Sequence, residues 1–497
     1  KRVLIIDENT PQAHYLMARV TIETGQLDIA LTSLETAVEL DSLVSEYWAF
    51  LALVYSLMGN MVKAGIAVEK AQRIGSEQAD ILRPIAHVLT VLGHFKDAAK
   101  NLRKAVEKSP NDAIYHHSLG VCLLEIGDYR GAKQSFQNAI DLDSNDAKSR
   151  WMLSSLVNAK DNKMAVQITS LMKNTEKQPR NHAYLGFAAG KLFEDTQCWN
   201  EAFHAYQQGA IGKRSIVNYS SHQAKKTFEA IKEVCTSNWL ETSINEFNDN
   251  NGTAPIFIIG QPRTGSTLVD RIISSHSLVH SAGEPVQLAM SLRANAGVRT
   301  KEFISAELIQ KSACISGQEL AESYLSALDV IKGNTPYFID KFPMNFMLVG
   351  FIVKAFPNAK IIHVKRSPAD TCFSVFKQLF GDIYPHSYDQ NEMAEHYVLY
   401  HDLMKYWHKI MPGKIFDISY EDIVADNSNQ ARRLIKHIGL NWEDNCNSFE
   451  YNHSAVVTAS AAQVREKIHN RSVGRWKNYK DQLSPTLDIL KSAGIAP

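Results

Sequence analysis

Small and apolar residues recur along this chain in two rhythms. In the first third, small residues return with a fixed period: Gly25, Gly59, Gly93 and Gly127 are each 34 residues apart. Five residues after each stands Ala30, Ala64, Ala98 or Ala132, and seven further on Ala37, Ala71, Ala105 or Ala139. Seven residues before each Gly there is again a small one, Ala18, Ala52, Ala86 or Gly120. In the second half the rhythm changes to short apolar runs separated by helical stretches. Ile256–Ile259, Tyr337–Asp340, Lys360–Val364 and Lys414–Ile418 read as buried strands of a parallel α/β sheet.

The 34-residue period resembles the tetratricopeptide repeat, a pair of antiparallel helices per unit. Small residues let the two helices approach closely, and Gly at the turn stops the first. Trp199-Asn200-Glu201-Ala202 and Gly209 repeat the second-helix pattern, which places a terminal unit near 181–214 and a degenerate helical pair at 147–180. Pro84 falls inside an expected helix and is read as a kink or a first-turn residue. On the concave face the register puts Gln12, Tyr15, Arg19, Asp80, Arg83, His87, His117 and Glu125. Their signs are mixed, with no basic cluster to clamp a terminal carboxylate. Two readings of the array stay open: it holds a peptide or protein partner, or it packs against the second domain or a second copy of the chain as a homodimer. Residues 215–252 read as a helical connector, closing on the polar turn Asn248-Asp249-Asn250-Asn251-Gly252. The expected division is a multidomain α and α/β chain: an α-solenoid over 1–214, the connector over 215–252 and a P-loop-like parallel-sheet domain over 253–497.

Between the strand Ile256–Ile259 and a helix over Leu268–Ile273 runs Gly260-Gln261-Pro262-Arg263-Thr264-Gly265-Ser266-Thr267. Strand, tight loop and helix start aim backbone N–H groups and a helix N-terminus at an anion. Gly260 and Gly265 permit close approach of a ligand, and Arg263 adds a cationic fork. The glycines have the spacing of a nucleoside-triphosphatase loop, but Ser266 stands where that loop has Lys. Such a cradle suits a phosphate that is held but not transferred. A second anion site is expected after the third strand, at Lys365-Arg366-Ser367-Pro368-Ala369-Asp370, with Ser367 as N-cap, Asp370 completing a cap and Ser374 eight residues after Arg366. Two such sites on neighbouring strand ends imply a ligand with phosphates at both ends.

Composition narrows the classes. Lys+Arg 53 against Asp+Glu 53 excludes broad adhesion to nucleic acid or to a membrane surface, though not a local basic pocket. The six cysteines are scattered without a C-x-x-C pair, so free thiols in a reducing, cytoplasmic setting are expected, and no metal site. The longest apolar run, Tyr47–Val62, covers 16 residues, short of the roughly 20 a membrane helix needs. No signal peptide is visible, but the chain begins at Lys1, so a removed N-terminal segment stays open.

Gly260–Thr267 together with Phe356-Pro357-Asn358-Ala359-Lys360-Ile361-Ile362-His363-Val364-Lys365-Arg366-Ser367-Pro368-Ala369-Asp370-Thr371-Cys372-Phe373-Ser374 resemble the two cofactor motifs of sulfotransferases, of the tyrosylprotein type. The combined architecture is similar to bacterial tetratricopeptide-repeat sulfotransferases. The resemblance implies 3′-phosphoadenosine-5′-phosphosulfate as cofactor, with Gly260, Arg263, Thr264, Gly265, Ser266 and Thr267 at its 5′ end and Arg366 and Ser374 at its 3′-phosphate. His280-Ser281-Ala282-Gly283-Glu284 resembles the segment carrying a catalytic glutamate, which gives that role to Glu284. By the same resemblance Lys341, in Asp340-Lys341-Phe342-Pro343, steadies the transferring group, Ser460 assists it, and Gly474-Arg475-Trp476-Lys477 closes over the nucleotide.

One departure bears on the acceptor. Tyrosylprotein enzymes follow the catalytic glutamate with Arg residues that hold acidic peptides, whereas here Pro285 to Leu292 precede the first one, Arg293. The acceptor (peptide, glycan or small molecule) is left undefined. His276, His280 and His363 flank the site and are read as structural, and Tyr420-Glu421-Asp422 as orienting the site or capping a helix. A nucleotide-dependent kinase or NTPase, and a scaffold with an inactive enzyme domain, are the rival functions. The missing Lys speaks against the first, and the presence of Glu284, Arg263 and Lys341 against the second.

Overall fold

The structure, a computed structural model, describes residues 8–244, 254–300, 302–329, 331–452 and 468–497. Contacts divide the chain into two units, 1–156 and 157–497.

The first unit is built of helices in antiparallel pairs: Pro11–Glu23 with Leu27–Leu40, Ser45–Leu57 with Met61–Ile74, Ala79–Val91 with Phe95–Lys108, and Ala113–Glu125 with Tyr129–Leu142, followed by Ala147–Leu156. The periodic glycines end the first helix of each pair. Gly25, Gly59, Gly93 and Gly127 have φ of 72°, 81°, 80° and 85°. The residue after each donates back across the helix end: Gln26 N to Thr21 O at 2.8 Å, Asn60 N to Tyr55 O at 2.8 Å, His94 N to Leu89 O at 2.7 Å and Asp128 N to Leu123 O at 2.8 Å. These are the six-to-one bonds that satisfy orphan carbonyls at a left-handed stop. The periodic alanines are buried where paired helices meet. At Gly120 a methyl group would lie 2.7 Å from the Phe136 ring, which fills the space an alanine occupies in the other units. Pro84 lies inside the helix Ala79–Val91, beyond its first turn. On the concave side, Arg19 pairs with Asp80 at 3.6 Å, Tyr47 donates to Gln12 at 2.9 Å, and His117 bonds Ser149 at 2.8 Å. Part of the expected binding face thus satisfies itself.

The second unit begins with helices where the irregular repeats were expected: Lys163–Met172, Pro179–Asp195 and Trp199–Arg214. The contact boundary therefore precedes residue 214, where sequence periodicity ends the array. Ser221–Val234 and Ser237–Ile244 make the helical connector; its expected polar end, 248–252, lies outside the described residues. The sheet has five parallel strands, β1 (Ala254–Gly260), β2 (Val279–Ser281), β3 (Tyr337–Asp340), β4 (Lys360–Lys365) and β5 (Ile415–Ser419), in the order β2-β3-β1-β4-β5.

Both faces of the sheet are covered. Ile256, Ile258, Ile362, Val364 and Ile418 pack with Val269, Ile272 and Ile273 of the helix after β1 and with Leu434, Ile435 and Ile438 of the helix Asn427–Ile438. Phe257 points the other way, its ring 6.0 Å from Tyr324 and 6.2 Å from Phe356. Gly260 pairs with Val364, and Lys365 with Ser419. The carboxyl ends of β1, β3, β4 and β5 therefore come together along one edge, where ligands of such sheets bind.

Candidate active site

β1 ends in Gly260 and turns sharply into the helix Ser266–Ser274. Gly260 has φ 143°, and a methyl group there would sit 2.6 Å from Val364 O. Gly265 has φ 96° and lies against Tyr420, whose ring carbon would be 2.6 Å from an added methyl. Neither position has room for a side chain. Thr264 Oγ1 donates to Gln261 O at 2.8 Å, tightening the loop. The intrahelical ladder starts with Leu268 N and Val269 N on Gly265 O, so the amides before them lie at the positive end of the helix dipole. Gln261 Nε2 is buried and has no hydrogen-bond partner among the described residues. Arg263 holds φ 67°, a left-handed conformation that costs a non-glycine residue about 1–3 kcal/mol.

The end of β4 meets this loop through Arg366. Its Nη1 donates to Arg263 O at 3.0 Å and to Ser374 Oγ at 3.0 Å, and its Nη2 donates to Ser472 O. The guanidinium lies over the Tyr420 ring at 5.1 Å. Its Nε is buried without a partner among the described residues, an unusual state for a guanidinium nitrogen. Burial, and then the Arg366 charge, brings Arg263 down to about 10. Burial likewise lowers Arg366. A half-buried Arg263 and an Arg366 whose side chain is 6% exposed make a place for a strongly anionic ligand, and orphaned donors on Arg366 and Gln261 fit its oxygens. Ser367 caps the next helix, accepting from Asp370 N at 3.4 Å, and its own N–H donates to Glu421 at 2.9 Å.

At the end of β3, Lys341 is fully buried and donates to Glu284 Oε1. The backbone sets this pairing: Lys341 N donates to Gly283 O at 2.9 Å and Ala282 N to Ile339 O at 2.9 Å, so the turn after β2 rides on β3. Glu284 is the open member, with 32% of its side chain exposed. Beneath the pair, Asp340 accepts from Tyr324 Oη at 2.7 Å, Asn345 Nδ2 at 2.9 Å and Phe342 N at 3.1 Å. Burial outweighs these bonds and pushes Asp340 up to about 7. Asp270, buried in the cradle helix, is also raised by burial, against the pull of Lys341.

The late loop closes onto the second anion site. Asp370 accepts from Gly474 N at 2.6 Å and Trp476 N at 3.0 Å, so its carboxylate holds this loop instead of completing the expected cap. Arg475 Nε donates to Glu194 at 2.7 Å. Lys477 is exposed.

The structure thus brings Gly260, Arg263, Thr264, Gly265, Ser266, Thr267, Arg366, Ser374, Arg475 and Trp476 to adjoining strand ends, with Lys341 and Glu284 paired at the end of β3. Ser460 lies outside the described residues. Two of the three flanking histidines are engaged structurally: His276 Nε2 bonds Asn441 O at 2.9 Å, and His363 joins Asp417 at 2.9 Å and Tyr400 at 2.5 Å, whereas His280 is exposed. His408 reaches the same Asp417 oxygen at 3.1 Å, and Lys365 the other at 2.8 Å. Burial raises the Asp417 carboxyl, but its bonds to His363 and then Lys365 outweigh that and hold it well below the usual range. Sequence reasoning missed Asp270, Glu194 and Lys377. Asp270 had a local signal, a carboxylate one turn into an otherwise apolar cradle helix; the other two had none.

Comparison with known proteins agrees with this layout. Residues 255–444 match the model described as the sulfotransferase family, and residues 15–79 and 85–155 the tetratricopeptide repeat. An uncharacterised protein of Aquifex aeolicus is 29% identical over 66% of this chain and 44% of its own length. A protein-tyrosine sulfotransferase of Drosophila melanogaster is 20% identical over 44% of this chain and 46% of its own. The omega-hydroxy-beta-dihydromenaquinone-9 sulfotransferase Stf3 of Mycobacterium tuberculosis is 28% identical over 20% of this chain and 28% of its own. The chain spans less than half the length of each of these relatives. No helix of the described residues is long and apolar enough to cross a membrane, and the six cysteines are free thiols.

Proposed function

We propose that this chain, in which a sulfotransferase-family domain follows tetratricopeptide repeats, takes 3′-phosphoadenosine-5′-phosphosulfate as donor and sulfates an acceptor hydroxyl or amine. The observation that carries this reading is Arg366. It bonds the cradle at Arg263 O and Ser374 of the next helix at once, tying two anion sites into one elongated site. A nucleotide phosphorylated at both its 3′ and 5′ ends fits such a site. Arg366 and Ser374 would hold the 3′-phosphate; Arg263, Thr264 and the helix-start amides of Ser266 and Thr267 would hold the 5′ end. When bound, the donor supplies a sulfuryl group on a phosphate leaving group. Glu284, open to solvent, takes the acceptor proton. Lys341 and Arg263 neutralise negative charge at the strand ends.

The stretch after Glu284, Pro285 to Leu292, carries no Arg to hold an acidic peptide. Arg293, the first Arg after Glu284, donates to Glu302 O at 2.7 Å and Phe303 O at 3.3 Å, and so serves its own loop. The relatives named for protein tyrosine and for a menaquinone alcohol show two acceptor chemistries on one domain type. We assign the repeats the task of positioning the acceptor or a partner.

Calorimetry tests the donor. 3′-Phosphoadenosine-5′-phosphate should bind without Mg²⁺ and far more tightly than AMP or ATP. Arg366→Ala removes charge-assisted bonds worth roughly 1.5–3 kcal/mol, so affinity should fall about 10- to 100-fold. Equal affinity with and without the 3′-phosphate would sink the assignment.

A further inference from the structure

The late loop is held by a carboxylate from outside the sheet. Glu194 stands near the end of the helix Pro179–Asp195 and is 5% exposed. Its Oε1 accepts from Lys377 Nζ at 2.9 Å and Arg475 Nε at 2.7 Å. Its Oε2 accepts from Tyr206 Oη at 2.8 Å and Lys377 Nζ at 3.1 Å. Burial pushes the Glu194 carboxyl up, but the Lys377 and Arg475 charges outweigh it and hold the group at about 2. A buried anion so fully bonded fixes its partners, because removing it leaves two cations without compensation.

Those partners belong to the cofactor side. Lys377 follows the helix Pro368–Phe376 that carries Ser374. Arg475 lies between Gly474 and Trp476, whose amides rest on Asp370. Two residues past Lys477, Tyr479 is buried among Phe373 at 4.2 Å, Trp199 at 5.6 Å and Phe203 at 6.1 Å. The loop is therefore pinned at Asp370, at Glu194 and at Tyr479. Two of these pins draw on the helix pair Pro179–Asp195 and Trp199–Arg214, which sequence periodicity assigns to the repeats.

We propose that Glu194 is a positioning residue of the donor site. It fixes Arg475, and through it the loop 474–477, in place before any ligand arrives. The last helix pair is then a working part of the nucleotide site. This rests on the donor assignment made above. A loop already ordered spares the ligand the entropic cost of ordering it.

The test uses the full chain and two readouts. Hydrogen exchange at the Gly474 and Trp476 amides needs no ligand, and calorimetry with 3′-phosphoadenosine-5′-phosphate reports the site. Glu194→Gln should speed exchange at both amides about 10-fold or more, leave β1 and β4 as in the wild type, and weaken the nucleotide about 10-fold. Arg475→Ala should do the same, and the double variant should bind no worse than Arg475→Ala alone, as expected when both act through one contact. Unchanged exchange at Gly474 and Trp476 would overturn the proposal whatever the nucleotide does. Equal acceleration across β1 and β4 would overturn it too, by showing a general loss of stability. Should Glu194→Gln not fold, unchanged exchange in Arg475→Ala would decide against it. A wild-type protein that ignores the nucleotide while Glu194→Gln frees the loop would remove the donor assignment and support the hold of Glu194 on the loop.

Discussion

At the scale of single residues, the pair at the end of β3 decides what chemistry is open to the site. Lys341 is buried and cannot reach bulk water, while Glu284 is partly exposed and can meet an acceptor. An acceptor hydroxyl attacks poorly while it keeps its proton, so a positioned carboxylate that removes it accelerates transfer about 10²- to 10⁴-fold. Glu284→Gln should therefore lower turnover by that factor. It should leave nucleotide affinity nearly unchanged, since Gln keeps the shape and still accepts from Lys341. Turnover measured beside nucleotide binding in one preparation separates the roles: near-normal turnover would remove Glu284 from the chemistry, and lost binding would make it structural. Arg263 shows the opposite compromise, a charged side chain placed well by a backbone conformation that resists it.

At the scale of elements, the strand-to-helix turn leaves no slack. Gly260→Ala would force a side chain into a φ of 143° and a methyl to 2.6 Å from Val364 O, a backbone atom of the neighbouring strand. Only separation of β1 from β4 relieves the clash. That also pulls Arg263 from Arg366, so the variant should lose nucleotide binding and melt earlier than the wild type in a calorimetric scan; unchanged melting and binding would show that the turn can yield. This turn was legible in the sequence because its causes are local: Ile256–Ile259, two glycines and a helix start lie within a dozen or so residues. The repeats were legible because four phases of small residues agree. β2 was not, since Val279–Ser281 is too short to show any alternation. Asp370 read as part of a cap because a cap is what its neighbours suggest, while its partners Gly474 and Trp476 lie 104 and 106 residues away. Glu194 and Arg475 are 281 residues apart, and no spacing rule reaches that far.

At the scale of the whole molecule, every group described above at the anion sites belongs to the second unit, which begins at residue 157. A chain starting at residue 157 should fold and bind 3′-phosphoadenosine-5′-phosphate like the full chain. One starting at residue 215 loses Glu194, Trp199, Phe203 and Tyr206, and should bind it at least 10-fold more weakly. Calorimetry on the two truncations, with circular dichroism to confirm folding, decides this; equal affinity would show the helix pair to be dispensable.

The left-handed glycine stops recur every 34 residues, and each closes its own helix pair with its own backbone bonds. The upstream array is thereby countable, and its length is a quantity that gene duplication or an engineer can change in whole steps. Adding or removing one unit ahead of residue 157 changes the length of the array without rewriting a single group of the anion sites. A cut at residue 214, where the repeats end by periodicity alone, instead removes Glu194, Trp199, Phe203 and Tyr206, through which the late loop is held.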